Sequence, residues 1–257
     1  MAELNGKAVE VEALQSLALT NYGHFTSMRV EDGRVRGLPL HMERLQRDCE
    51  TLFGAELDPE RVRDLARRAA PAKGAAVVRV TVFDPNLDMG HPGSADEPHV
   101  LVTSRPAADL PLPPLRAQSR TYTRDLPSVK SVGLFSSLRH RRTAQLNGFD
   151  DALFVDGQGT ISEGGTWNIG FFDGDQVIWP ESDCLPGVTM RLLQQSHEHD
   201  TCAVRLADLP HVQAAFATNA AVGVRAVSGV DSIVLPEAHA VIDTLRKEYL
   251  EVPGELL

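Results

Sequence analysis

Three features within residues 130–189 could do chemistry together. Lys130 stands in PSVKSVG, between small and apolar residues. Partial burial of such an amine lowers its pKa and makes it a nucleophile toward aldehydes. Glu163 lies in ISEGG, within the turn-rich β segment GFDDALFVDGQGTISEGGTWNIGFF. Its carboxylate could face a cationic ring nitrogen, and Gly164 and Gly165 permit a close backbone approach. LPGVT follows a strand and opens a helix, so the backbone N–H groups of Val188 and Thr189, with the Thr189 hydroxyl, could accept a phosphate at a helix N-terminus. Upstream, His41 and Arg44 in HMERL lie one turn apart on a helix face, and an arginine can hold a phosphate by two parallel hydrogen bonds.

Each feature also has a plain reading. Lys130 alone reads as a solvated lysine at a strand end, and Glu163 as one more loop glutamate. Thr189 alone reads as a residue satisfying orphan N–H groups at a helix start. Arg44 alone reads as part of a charged face with Glu43 and Arg47. Taken together, an imine-forming lysine, an acid for a ring nitrogen and a phosphate turn are what a protein needs to hold pyridoxal phosphate.

Composition excludes other classes. The 257 residues are 42% hydrophobic and 23% charged, ordinary for a globular protein able to bury a sizeable core. The net charge of −10 argues against nucleic acid as a partner. No apolar run approaches a membrane span, and the N-terminus lacks the basic start and apolar stretch of a signal peptide. Cys49, Cys184 and Cys202 fit neither a disulfide framework nor a zinc site, and the histidines show no metal spacing, so no metal is expected. The cytoplasm is the expected compartment. The only lysines are Lys7, Lys73, Lys130 and Lys247, which keeps the search for a chemical amine short.

The elements that must position these residues read as mixed α/β (α+β). VEALQSLALTNYGHFTSMRVEDGRVRG carries strand-like runs about the turn Glu31-Asp32-Gly33. LPLHMERLQRDCETLFG places Leu40, Met42, Leu45, Cys49, Leu52 and Phe53 at helical spacing and stops at Gly54. DPERVRDLARRAAPAKG reads as a second helix capped by Asp58. AAVVRVTVFDP and EPHVLVTSRP read as strands. RPAADLPLPPLRA, residues 105–117, reads as a linker because its prolines disfavour helix and central strand. The division predicted is an N-terminal α/β lobe over 1–108, a linker over 109–117 and a C-terminal lobe over 118–257. The second lobe should hold the helix LFSSLRHRRTAQLNG, hairpins at Asp156-Gly157 and Asp173-Gly174, the helix VTMRLLQQSHEH, strands in AAFATNAAVGVRAV and a C-terminal helix.

The order of these pieces resembles the class IV, or fold type IV, pyridoxal-phosphate enzymes, which include branched-chain and D-amino acid aminotransferases and 4-amino-4-deoxychorismate lyases. YGHFTSMRVEDGRVRGLPLHMERLQRDCETL looks like the family's N-terminal strand, hairpin and arginine-bearing helix. VKS, GFDDALFVDGQGTISEGGTWNIGFF and LPGVT look like its cofactor core, and FATNAAVGVRAV like its final active-site turn. The resemblance implies two α/β lobes, the larger C-terminal one with a β-barrel-like sheet, with the cofactor between them and assembly as a homodimer. It implies that Lys130 is the Schiff-base lysine and proton shuttle, Glu163 the partner of the pyridine nitrogen and Arg44 the phosphate arginine. Val188 and Thr189 fall on the phosphate turn, Leu185 on the ring face and Asn219 on a further phosphate contact. The activity implied is transfer of an amino group between an amino acid or amine and a 2-keto acid. A lyase-like β-elimination or a non-catalytic relative is the alternative. Phe135, Trp167 and Met190 depart from the family pattern. Arg124, Arg139 and Arg225 are candidates for a substrate carboxylate.

Overall fold

The computed structural model describes residues 2–257. They form two compact units, neither continuous in sequence. The first comprises the chain through Ala108, the segment Val129–Gly133 and Pro253–Leu257, and the second comprises Asp109–Ser128 and Leu134–Val252.

The first unit is built on a seven-stranded antiparallel sheet. Its strands are β1 (Ala2–Leu4), β2 (Lys7–Ala8), β3 (His24–Glu31), β4 (Arg34–Arg36), β5 (Ala75–Phe83), β6 (His99–Pro106) and a C-terminal strand (Gly254–Leu256). The order is C-terminal strand, β4, β3, β5, β6, β1, β2. Asp32 and Gly33, both at positive φ (50° and 74°), turn β3 into β4. Side chains alternate across a strand, so Met28, Val30, Val78, Val80, Val82, Val100 and Val102 share one face. Two helices cover that face, α2 (Leu38–Phe53) with Met42, Leu45 and Cys49, and α3 (Pro59–Ala69) with Val62, Leu65 and Ala66. Left-handed glycines bound α2, Gly37 at φ 68° and Gly54 at φ 59°. The Asp58 carboxylate accepts the Glu60 N–H and caps α3. On β3 and β5 the opposite sheet face carries the odd-numbered residues, among them Phe25, Arg79 and Thr81.

Two expectations are corrected here. Part of VEALQSLALT, read as strand-like, is a helix, α1 (Gln15–Thr20), closed by left-handed Asn21. Its Ser16 hydroxyl bonds the Asp84 carbonyl, a tertiary contact that no local pattern encodes. The proline-rich connector is also shorter than 105–117, because β6 runs to Pro106 and the next strand opens at Leu115. Pro106 pairs as the last residue of its strand, where a missing N–H is tolerated.

The segment Val129–Gly133 pairs with the start of β3. Phe25 N–H donates to the Lys130 carbonyl (2.9 Å), Val132 N–H donates to the Gly23 carbonyl (3.0 Å), and His24 lies opposite Ser131. Val129 and Val132 are buried and anchor this short strand.

The second unit is built on a mixed nine-stranded sheet. Its strands are β7 (Leu115–Thr121), β8 (Asp151–Val155), β9 (Ile161–Gly164), β10 (Asn168–Phe172), β11 (Val177–Pro180), β12 (His199–Cys202), β13 (Ala214–Asn219), β14 (Gly223–Val230) and β15 (Ile233–Val234). The path runs β12-β11-β10-β13-β14-β7-β8-β9, with β15 on β14. The sheet curls as expected of a barrel-like lobe: Gly164 N–H at the end of β9 donates to the Trp167 carbonyl just before β10 (2.8 Å). Leu153, Val155, Ile169, Phe171, Ala215, Ala217 and Val227 fill the inside of the curl. Helices α4 (Phe135–Leu146), α5 (Val188–Ser196) and α6 (Ala240–Glu251) complete the unit, α4 packing on β8 and both α5 and α6 on β13. Among the described residues no helix is long and apolar enough to cross a membrane.

Candidate functional site

The first unit gathers Lys130, Arg44, His41, His24, Thr26 and Asp48. Helix α2 supplies His41, Arg44 and Asp48 at i, i+3 and i+7, a single face. All three are buried. The Thr26 hydroxyl on β3 meets His41 Nδ1 (2.7 Å) and accepts from the Arg44 guanidinium. Asp48 accepts the Lys130 backbone N–H on Oδ2 (3.0 Å), while its Oδ1 takes Arg47 Nη2 (2.7 Å). Lys130 is half-buried, whereas Lys7, Lys73 and Lys247 are exposed. Lys130 Nζ lies 4.9 Å from the centroid of the Phe25 ring, and the Arg79 guanidinium lies 3.6 Å from the same centroid.

Burial and positive charge keep both histidines neutral. Desolvation, reinforced by Arg44 and Arg47, pushes His24 down to about 3. Burial first, then Arg44 and Lys130, hold His41 well below the ordinary imidazole range. Burial also lowers the Arg79 pKa from its usual value.

The second unit gathers Glu163, Leu185, Val188 and Thr189. Glu163, at the end of β9, is buried, lies 3.5 Å from the Arg124 guanidinium, and accepts the Leu185 N–H in a long bond of 3.4 Å. The Leu185 carbonyl accepts from Asn168 Nδ2 (2.7 Å). Asn168 Oδ1 closes on Gly187 so tightly that any Cβ there would collide with it, which explains the glycine that opens α5. Among the described residues no side chain caps α5, and amides in the first turn of a helix, here Val188 and Thr189, have no intrahelical partner.

The hydroxyls of Thr189 and Thr218 are buried, and neither has a hydrogen-bond partner among the described residues. Asn168 and Thr218 are directly paired across β10 and β13 and so share a sheet face. Two unpartnered hydroxyls and an uncapped helix N-terminus suit a phosphate monoester, which brings three acceptor oxygens. Asn219 belongs to the opposite face, and its Oδ1 accepts the Ala221 and Val222 N–H groups (3.0 Å each) in the β13–β14 turn. It lines a cavity of about 250 Å³ with Thr166, Trp167, Arg141 and Arg225.

The remaining sequence candidates fall in several places. Arg124 meets Glu163. Arg139 is exposed on α4, and Arg225 Nε donates to the Pro113 carbonyl (2.5 Å) and braces the proline-rich connector. Phe135 is 76% exposed at the start of α4. Trp167 is buried and lies on Gly164, where a Cβ would strike the indole. Its Nε1–H donates to Asp151 Oδ2 (2.9 Å), and Asp151 is held by Arg141 through two bonds of 2.9 and 2.7 Å. Met190 is half-buried on α5. Sequence reasoning missed His24, Asp48, Arg79 and Thr218. An arginine inside the apolar strand run VVRVTVF was a visible signal for Arg79. Period-two alternation along FATN separates Thr218 from Asn219. Asp48 and His24 carried no local signal.

A sequence model of the family described as Amino-transferase class IV matches residues 23–230. A relative from Rickettsia bellii (strain RML369-C), named "Probable branched-chain-amino-acid aminotransferase", is 26% identical over 282 residues, covering 96% of this chain and 93% of the relative. The crystal structure of the branched-chain aminotransferase from the thermophilic archaeon Thermoproteus uzoniensis with norvaline is similar at a TM-score of 0.84 and 19% identity, over 97% of this chain and 93% of that one. A structure from Legionella pneumophila subsp. pneumophila str. Philadelphia 1, named "Putative 4-amino-4-deoxychorismate lyase", is similar at a TM-score of 0.84 and 20% identity, over 96% of each chain. At such identities the two structures establish the fold alone.

Proposed function

The chain belongs to the class IV amino-transferases, and from this we propose that it moves an amino group between an amino acid or amine and a 2-keto acid, with pyridoxal 5'-phosphate held through Lys130. The observation that carries the assignment of the amine is that Lys130 alone of the four lysines is half-buried, with its backbone fixed on both sides by Phe25 and Asp48. The proposed cofactor contacts are Arg44, Lys130, Glu163, Leu185, Val188, Thr189 and Asn219, and the unpartnered hydroxyl adds Thr218 to them.

When bound, pyridoxal phosphate supplies an aldehyde and an electron-withdrawing ring. Lys130 Nζ would be the amine that holds the cofactor and the base that accepts the proton from the substrate carbon. His41, which interacts electrostatically with Lys130, stays neutral and so adds no positive charge that would oppose protonation of that amine. Arg44, buried and always charged, holds phosphate oxygens by charge-assisted bonds. Glu163, kept close to Arg124, presents an acceptor to a protonated ring nitrogen. Arg79 sits against the same aromatic ring as Lys130 and is the cation proposed for the substrate carboxylate. Three free cysteines support a reducing compartment, the cytoplasm. Assembly as a homodimer would cover the exposed Phe135, Leu138 and Leu146 of α4.

The test is spectroscopic. Protein mixed with pyridoxal phosphate should develop visible absorption that Lys130→Ala abolishes, and turnover should fall by roughly 10²–10⁴-fold or more without the proton-transferring amine. Amino donors that convert the bound cofactor to its amine form identify the substrates. Pyruvate release without an acceptor would move the assignment to β-elimination. Failure to develop the band in excess cofactor, or its persistence in Lys130→Ala, would reject the proposal.

A further inference from the structure

We infer that Asp48 is the residue that positions Lys130, tying its backbone to the same helical face that presents Arg44; this rests on the pyridoxal phosphate reading above. Asp48 is fully buried on α2. Its two oxygens divide their work: Oδ1 accepts Arg47 Nε (3.1 Å) and Nη2 (2.7 Å), and Oδ2 accepts the Lys130 N–H (3.0 Å) across 82 residues of sequence.

Burying a carboxylate is costly, and an apolar side chain would fill the same volume without that cost. What the carboxylate adds is a strong, directional acceptor for one backbone amide. The Lys130 carbonyl is taken from the other side by Phe25 N–H. The peptide groups flanking the lysine Cα are therefore held by two different elements, strand β3 and helix α2.

Arg44 and Asp48 are four residues apart and share a face of α2. One rigid turn of helix thus sets the separation between the proposed phosphate anchor and the amine. Asp48 reaches no reacting atom; it acts through Lys130. Misplacing a reacting group by about 1 Å can cost on the order of 100-fold in rate while leaving binding largely intact.

The experiment compares wild-type holoenzyme with Asp48→Asn, which keeps an oxygen acceptor, and Asp48→Leu, which removes it. Hydrogen exchange at the Lys130 amide, kcat, KM and cofactor affinity are measured on each. Asp48→Leu should lose at least tenfold protection at Lys130 and lower kcat by roughly 10–100-fold, with KM and cofactor affinity within about threefold. Asp48→Asn should recover most of both losses. Asp48→Leu with wild-type protection and kcat overturns the inference, as does Asp48→Asn falling as far as Asp48→Leu. If Asp48→Leu does not fold, Asp48→Ala takes its place under the same criteria. An unprotected Lys130 amide in the wild-type holoenzyme overturns the inference whatever the variants do. A wild-type chain with no Lys130-dependent visible band instead removes the cofactor reading itself, so the two failures are distinct.

Discussion

The two units present their chemical groups in opposite ways. In the first, most of the groups are side chains that already engage one another, Thr26 with His41 and Arg44, Asp48 with Arg47 and the Lys130 amide; His24 is the exception, its ring nitrogens buried with no hydrogen-bond partner among the described residues. In the second, the phosphate-sized turn offers backbone amides at an uncapped helix start and two buried hydroxyls with no partner among the described residues. The contrast separates groups that serve the fold from groups that wait for a ligand. An interlocked cluster is stable by itself and holds its geometry before anything binds. Unpartnered hydroxyls cost stability until an acceptor arrives.

The largest expected effect is on acid stability and should localise to the first unit. Above pH 6.5, His24 is neutral whether folded or unfolded. As pH falls from 6.5 toward about 3, the unfolded chain takes a proton that folded His24 refuses, so unfolding is increasingly favoured. The full span is worth roughly 4–5 kcal/mol, and about 2–3 kcal/mol of it should appear between pH 7 and pH 4.5. Buried His41 acts in the same direction. Urea unfolding at those two pH values should show His24→Leu losing about 2–3 kcal/mol less than the wild type. An equal acid sensitivity would mean that His24 is not the titrating group.

Arg44→Ala should come next. Removing a charged donor from Thr26 should lower the stability of the cofactor-free protein by about 1.5–3 kcal/mol, with a similar loss of affinity for pyridoxal phosphate. Thermal unfolding and cofactor titration measure the two separately. Stability unchanged by Arg44→Ala would remove the interlocking that distinguishes the first unit from the second.

Thr189→Val and Thr218→Val should have the smallest effect and a different signature. Each should weaken cofactor binding by about 0.5–1.5 kcal/mol, yet leave the cofactor-free protein as stable as before or slightly more so, because a buried hydroxyl without a partner is removed. If either substitution destabilised the cofactor-free protein as much as Arg44→Ala, the contrast between the units would collapse.

Much of this was legible along the chain. The spacing of Leu45, Cys49 and Phe53 and the stop at Gly54 mark α2, and the alternation in VVRVTVF marks β5, because a helix or strand with one buried face repeats its apolar residues at its own period. Asp32-Gly33 marks the β3–β4 turn, where positive φ favours these residue types. The short helix α1 was not legible, since its stability comes from the contact of Ser16 with Asp84 rather than from propensity. Trp167 read only as a departure from the family pattern; the structure shows where the indole goes, onto Gly164 and against Asp151.

Local pattern along the chain was enough to establish the family, the order of its motifs and the residue types available for an amine, an acid and a phosphate turn. What those residues meet came from the tertiary structure. It joins Val129–Gly133 to β3, places the Asp48 carboxylate on the Lys130 amide, sets Arg124 beside Glu163 and puts Thr218 on the same sheet face as Asn168. It also makes His24 neutral, since desolvation and neighbouring arginines act through space. Contacts between groups tens of residues apart follow from strand register and helix packing, which no window of sequence contains.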